Sequence, residues 1–173
     1  MSNTPAWTTD LAETAPQVTL LAVESVAALP WQSPPSDFGA ATVARPFERV
    51  VGRIAPAIRF EVWLPPTTGE HAWNGKFLGV GNGGLAGSLN YPALADALAR
   101  GYATASTDTG HQAAIWDASW MMDNAEALAD FGYRAIHAMS VAAFAIVRAY
   151  YGRPAARAYF SGCSGGGHQG LVL

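Results

Sequence analysis

The sequence predicts an α/β fold with a mostly parallel sheet and flanking helices. Three observations carry that prediction. Short apolar runs suited to strands alternate with helical patterns along residues 45–173. A glycine-rich loop, GNGGLAG at 81–87, directly follows one of those runs. A second short run, YFS at 159–161, reads as a buried strand and leads straight into Gly162-Cys163-Ser164-Gly165-Gly166, a G-x-S-x-G element.

Residues 1–44 read as an extended or loop segment ahead of the main domain. Pro30, Pro34, Pro35 and Pro46 place a loop over 28–46. Two strands follow, over 49–54 and 58–64. In the second, Arg59, Glu61 and Trp63 alternate with Ile58, Phe60, Val62 and Leu64, which is the period of a strand. Pro65-Pro66 and Gly69 make a turn. KFLGV at 76–80 is a buried strand that opens into the glycine loop. Pro92 belongs in the first turn of a helix that runs to about Arg100 and stops at Gly101. Residues 102–107 form the next strand, and 108–129 are mostly loop, with a helical turn near 124–128. The longest helix spans 130–150. Phe131, Ala135, Ala138, Met139, Ala142, Ile146 and Tyr150 recur at helical spacing, Asp130 is placed to cap it, and Gly152 and Pro154 end it. A strand over 157–161 returns the chain to Ser164.

Composition narrows the function classes. A chain of 173 residues, half of them hydrophobic and 13% charged, can build a core and is not a solvated tail. A net charge of −3 without a basic block argues against nucleic acid as partner. No apolar run approaches the roughly 18 residues of a membrane span. The N-terminus lacks a basic stretch followed by an apolar one, the pattern of a secretory leader. The one cysteine, Cys163, has no partner within the chain.

The G-x-S-x-G element carries the chemistry. By composition alone it arises by chance in roughly one such chain in ten, so its context matters more than the pattern. A strand before and a helix after make it a nucleophile elbow, with Ser164 as the candidate nucleophile for acyl transfer. The N–H of Gly165 would then face the oxyanion. A second N–H is expected from a loop after an earlier strand, which makes Gly83 and Gly84 the candidates.

The same loop has a rival reading. Gly79-x-Gly81-x-x-Gly84 matches a dinucleotide-binding fingerprint, with Asp108 as the acidic residue at the end of the next strand. Against it, the helix that should hold the pyrophosphate begins several residues too late. A plain glycine turn in a non-catalytic remnant is the third reading. Asp108 and His111 precede the serine, whereas triad partners on this type of elbow follow it. They are expected to tie their loop by local hydrogen bonds. His168 lies one helical turn beyond Ser164 and points away from it, His137 belongs to the long helix, and His71 to a polar turn. No His, Cys or carboxylate pair has metal-ligand spacing, so no cofactor is expected in this chain.

Four blocks then occur in a recognisable order: WNGKFLGVGNGGLAGS, ALARGYATASTDTGH, DFGYRAIHAMSVAAFAIVRAYYG and YFSGCSGGGHQGL. Together, from about Arg45 to Leu173, they resemble the tannase and feruloyl esterase family of α/β-hydrolases. The resemblance implies an α/β-hydrolase-like sheet that stops after the nucleophile elbow. It also implies a serine carboxylic-ester hydrolase whose partner is a small aromatic ester, such as a feruloyl or galloyl ester. The family places a cysteine before the nucleophile and a second after the catalytic histidine, joined by a disulfide. By resemblance Cys163 is the first of that pair and Ser164 the nucleophile. The second cysteine, the acid, the histidine and a lid domain that usually binds calcium would lie beyond Leu173. A chain ending there is expected to be a weak or inactive catalyst with an open, apolar sheet edge. Family members are commonly secreted or periplasmic. Three positions depart from the family: Glu48 where a cysteine is frequent, Gly165 where a larger residue is usual, and His168 where arginine is usual.

Overall fold

Residues 5–173 are described by a computed structural model, and positions 1–4 of the N-terminal segment lie outside the described residues. The strands expected over 49–54, 58–64, 76–80, 102–107 and 157–161 form as β4 (Phe47–Ile54), β5 (Ile58–Leu64), β6 (Lys76–Val80), β7 (Ala103–Thr107) and β8 (Arg157–Ser161). The segment ahead of residue 45 differs from the extended or loop reading. It holds helix α1 (Trp7–Thr14), strand β1 (Val18–Val26) and a short pair, β2 (Trp31–Gln32) with β3 (Thr42–Val43). β1 completes the main sheet by pairing antiparallel with β4.

The six-stranded sheet runs β1-β4-β5-β7-β6-β8. β1, β4, β5 and β7 pair antiparallel, and β7, β6 and β8 pair in parallel, so the sheet is mixed and its parallel part leads to the serine. The crossovers between parallel strands are helical, as such pairs require. Helix α2 (Tyr91–Ala99) joins β6 to β7, and a long helical stretch joins β7 to β8.

The side-chain alternation of β5 and β7 divides the interior into two layers. On one face Val50, Phe60, Val62, Leu64, Phe77 and Ala105 pack against Met139, Ala142 and Ile146 of helix α4 (Ala135–Tyr151). On the other, Trp63, Leu78 and Val80 pack against Leu94 and Leu98 of α2. β5 is therefore buried on both faces rather than one. Trp63 is fully buried and Glu61 is only 3% exposed, because α2 and the β2–β3 pair cover the face that alternation alone would leave in water.

Burying Glu61 requires that its charge be met. Arg49 binds it through two guanidinium nitrogens, Trp63 Nε1 donates at 2.8 Å, and Tyr91 Oη donates at 3.0 Å. Burial works against the Arg49 charge, and the bonds and charges of Glu61 and then Glu24 outweigh it. Burial first, and the Glu61 carboxylate second, push the Tyr91 phenol above its ordinary range.

The long helix starts earlier than its apolar period indicates. Asn124 caps helix α3 (Ala125–Ala129), its side chain accepting from Ala127 N at 3.1 Å. A π-helical turn, Asp130–Arg134, then runs into α4. Asp130 is not the cap: its backbone is already helical, and its buried carboxylate accepts from Arg134 Nε one turn on. Gly152 ends α4 at φ 67°, as expected for a left-handed stop.

Within residues 5–173 β8 is largely exposed, where YFS suggests a buried strand. Tyr159 is 46% exposed, and only Phe160 packs onto the core. Among the described residues β8 pairs on one side alone, with β6.

Candidate active site

The elbow takes its shape from three residues. Ser164 sits at φ 56°, ψ −118°, between the end of β8 and helix α5 (Gly165–Val172). A side-chain-bearing residue in that region costs on the order of 1–3 kcal/mol and persists only when its surroundings enforce it. The surroundings here are backbone. A Cβ on Gly162 would stand 2.3 Å from the Gly166 carbonyl oxygen, and one on Gly166 would stand 2.6 Å from the Asn82 carbonyl oxygen. Both outer glycines of the G-x-S-x-G element are thus required by close approach, which a chance glycine turn would not need. The Ser164 residue is exposed, and among the described residues its hydroxyl has no hydrogen-bond partner.

Gly165 brings the second group into place. Its Cβ direction faces the glycine loop, 3.1 Å from Gly84 O and 3.5 Å from Gly84 N. Gly165 is the first residue of α5, so its N–H has no carbonyl within the helix to bond. The N–H groups of Gly83 and Gly84 also lack partners among the described residues. The structure therefore brings Ser164, Gly165, Gly83 and Gly84 together, with N–H donors left unpaired beside an exposed hydroxyl.

Two residues that sequence reasoning did not single out fasten this arrangement. Asn82 N donates to Gln169 Oε1 at 3.0 Å, and Gln169 Nε2 donates back to Asn82 Oδ1 at 3.1 Å. Asn82 Nδ2 also donates to Ser88 O and Thr107 O. Both side chains are buried. This reciprocal amide pair ties α5 to the loop after β6. The blocks GNGG and SGGGHQG hold both residues, but no local pattern links positions 87 residues apart.

The histidines serve other partners. His168 Nε2 bonds Gly132 O at 2.8 Å, which fixes α5 to the π-helical turn. His111 Nε2 bonds Leu85 O at 3.0 Å, its Nδ1 lies 3.3 Å from Thr109 Oγ1, and its ring stacks on Trp120. Burial holds its pKa below the ordinary histidine value. His137 is exposed on α4 and His71 half-buried in its turn. Asp108 Oδ1 accepts from Arg59 N and Gly110 N, both at 2.9 Å, so Asp108 ties its loop as the sequence suggests. Burial pushes its carboxyl up to about 7 against the pull of those bonds, and Oδ2 is buried without a partner.

These placements remove what a dinucleotide site would need. Asp108 is only 2% exposed and cannot reach a ribose, and α2 begins at Tyr91, behind a cap on Asn90, rather than at Gly84. Among the described residues no group of three or more His, Cys, Asp or Glu side chains could hold a metal ion. Cys163 carries a free, exposed thiol. No helix of the described residues is long and apolar enough to cross a membrane.

The family model described as tannase and feruloyl esterase matches residues 41–173. A probable feruloyl esterase B-2 of Aspergillus flavus is 39% identical over 115 residues, which cover 66% of this chain and 21% of that protein. An uncharacterized esterase of Xanthomonas campestris pv. campestris is 42% identical over 130 residues, covering 73% and 22%. The chain thus spans about a fifth of the length of these relatives. The crystal structure of feruloyl esterase B from Aspergillus oryzae superposes with a TM-score of 0.77 at 28% identity, covering 95% of this chain and 34% of that one. A tannin acyl hydrolase from Aspergillus niger, at 22% identity and a TM-score of 0.68, shares the fold. The family model covers most of the chain, and the chain belongs to the tannase and feruloyl esterase family.

Proposed function

We propose that this chain carries the nucleophile and the oxyanion donors of a serine carboxylic-ester hydrolase for esters of aromatic acids of the feruloyl or galloyl type. The observation that carries the reading is the backbone of Ser164, held at φ 56° beside unpaired N–H groups of Gly165 and the Gly83-Gly84 turn. Ser164 Oγ attacks the ester carbonyl, and the carbonyl oxygen gains charge where Gly165 N–H and one of the Gly83 or Gly84 N–H groups point. Collapse expels the alcohol, which takes a proton, and leaves an acyl group on Ser164. Water then releases the acid by the same route. The aromatic acyl group is inferred from the names of the relatives, two of which are feruloyl esterases.

The general base must be a histidine other than the two already engaged. His111 and His168 each have Nε2 committed to a backbone carbonyl, and among the described residues none bonds the Ser164 hydroxyl. The resemblance places that histidine, with its acid and the cysteine partner of Cys163, after Leu173. On that reading residues 1–173 alone turn over slowly, since loss of a triad member costs several orders of magnitude.

The test is hydrolysis of methyl ferulate by the intact gene product and its Ser164→Ala variant. The expected loss is at least about a thousandfold in kcat. Turnover that survives the substitution would show that another group is the nucleophile.

A further inference from the structure

Within the glycine loop Ala86 N donates to Gly83 O at 3.2 Å and Asn82 Nδ2 to Ser88 O at 2.6 Å. Residues 111–115 hold the loop through three further bonds: Leu85 N to Ile115 O at 2.9 Å, Gly87 N to Ala113 O at 3.1 Å, and His111 Nε2 to Leu85 O at 3.0 Å. The two backbones lie in direct contact. A Cβ on Gly84 would stand 2.6 Å from Ile115 Cγ1, and one on Gly87 would stand 2.6 Å from both His111 Cδ2 and His111 O. Leu85 is thereby fixed on both of its peptide groups, one by the Ile115 carbonyl and one by the His111 imidazole. Gly84, at φ 56°, is the next residue toward the unpaired N–H groups. His111 holds the Leu85–Ala86 peptide, whose N–H donates to Gly83 O at 3.2 Å, so the peptide that carries the Gly84 N–H is tied to the same clamp.

The imidazole is itself rigidly placed. Its ring stacks on Trp120 with centroids 3.7 Å apart and meets the edge of Phe131 at 5.8 Å. Its backbone belongs to a turn anchored by Asp108, whose Oδ1 takes the N–H of Gly110, with Thr109 at φ 60°.

We infer that His111 is the positioning residue of the oxyanion loop: its Nε2–H holds the Leu85 carbonyl and so aims the Gly83 or Gly84 N–H at the oxygen of the adduct on Ser164. This rests on the reading of Ser164 as nucleophile, with those N–H groups as its oxyanion donors. His111 is thus neither a triad member nor only a tie within its own turn. It acts on the reaction through a backbone it does not share.

Two variants separate the hydrogen bond from the packing. His111→Phe keeps a flat ring against Trp120 and loses the donor. His111→Gln keeps an N–H donor close to the position of Nε2 and loses the ring. Hydrogen exchange of the peptide covering 81–89, measured on the whole chain, reads the clamp directly. Exchange there should rise about five- to tenfold in His111→Phe and return toward the wild-type rate in His111→Gln, with α4 unchanged in both. Equal loosening by both variants would assign His111 to packing, and no loosening in His111→Phe would leave Leu85 held by other bonds; either result overturns the inference. The wild-type chain offers a check that needs no variant. The imidazole nitrogen spectrum should show the Nε2–H tautomer, with that proton slow to exchange, and an Nδ1–H tautomer would overturn the clamp.

The covalent readout is the rate at which a fluorophosphonate modifies Ser164. It should fall on the order of tenfold in His111→Phe and recover in His111→Gln, because the phosphonyl oxygen occupies the same hole. Modification that is absent from the wild type and from the intact gene product would count against the nucleophile reading, with exchange still deciding the clamp.

Discussion

The two flanks of the sheet are built on opposite terms. On the antiparallel flank the buried carboxylate of Glu61 is fully met. Glu61 collects donors from Arg49, Trp63 and Tyr91, and β5 is buried on both faces. On the parallel flank the chain leaves demands open. Ser164 is held in a disfavoured conformation, Gly83 and Gly84 keep unpaired N–H groups, Asp108 Oδ2 is buried without a partner, and β8 has one free side among the described residues. One flank pairs its buried charge, and the other keeps N–H groups without partners among the described residues, as the proposed acyl transfer requires. Strain and unmet donors gather where chemistry is read, as they do at sites in general.

The largest expected effect lies on the satisfied flank. Glu61→Leu strips Arg49 of its buried partner and leaves the exposed Glu24 contact, at 3.0 Å, as its only ion pair. The expected loss is about 3–5 kcal/mol in denaturant unfolding. The double variant with Arg49→Met should recover most of it, and a double variant as unstable as the single one would mean that the node matters for shape rather than for charge.

The next effect belongs to Asp108. Its folded-state carboxyl titrates near 7, against an ordinary value near 3.8 when unfolded, because burial favours the neutral form. The unfolded chain therefore binds fewer protons between those limits. Stability from this group is complete below about pH 4, declines as pH rises toward 7, and levels off above it, by up to a few kcal/mol. Thermal melts from pH 4 to 8 should show that decline, and Asp108→Asn should flatten it. An unchanged slope would place the pH dependence elsewhere.

The smallest effect has the opposite sign. Ser164→Gly removes the conformational penalty at φ 56° and should raise stability by about 1 kcal/mol while abolishing turnover. Such a gain is characteristic of the demanding flank. A loss would show that Ser164 is not strained and would narrow the contrast between the two flanks.

Much of the fold was legible before any coordinates. Period and apolarity located β4 to β8, and Pro92 with Gly101 bracketed α2. The elbow was legible because its glycines are adjacent in sequence and close approach makes them necessary. What escaped was non-local. Glu61 looked outward because Tyr91, which meets it, lies 30 residues on. Asn82 and Gln169 recognise each other across 87 residues. The helical turn near 124–128 was legible, but its continuity with the long helix was obscured by the π-helical turn, which breaks the 3.6-residue period.

The Asn82–Gln169 pair also sets an order of assembly. The glycine loop leaves the ribosome well before α5 exists, and no earlier residue offers Asn82 the same two bonds. Its neighbour Gly166 must likewise arrive before the Asn82 carbonyl is covered. Closure of so long a span is slow compared with local helix formation. A nascent chain therefore carries its β-hairpins and long helix for some time before α5 docks on the loop after β6.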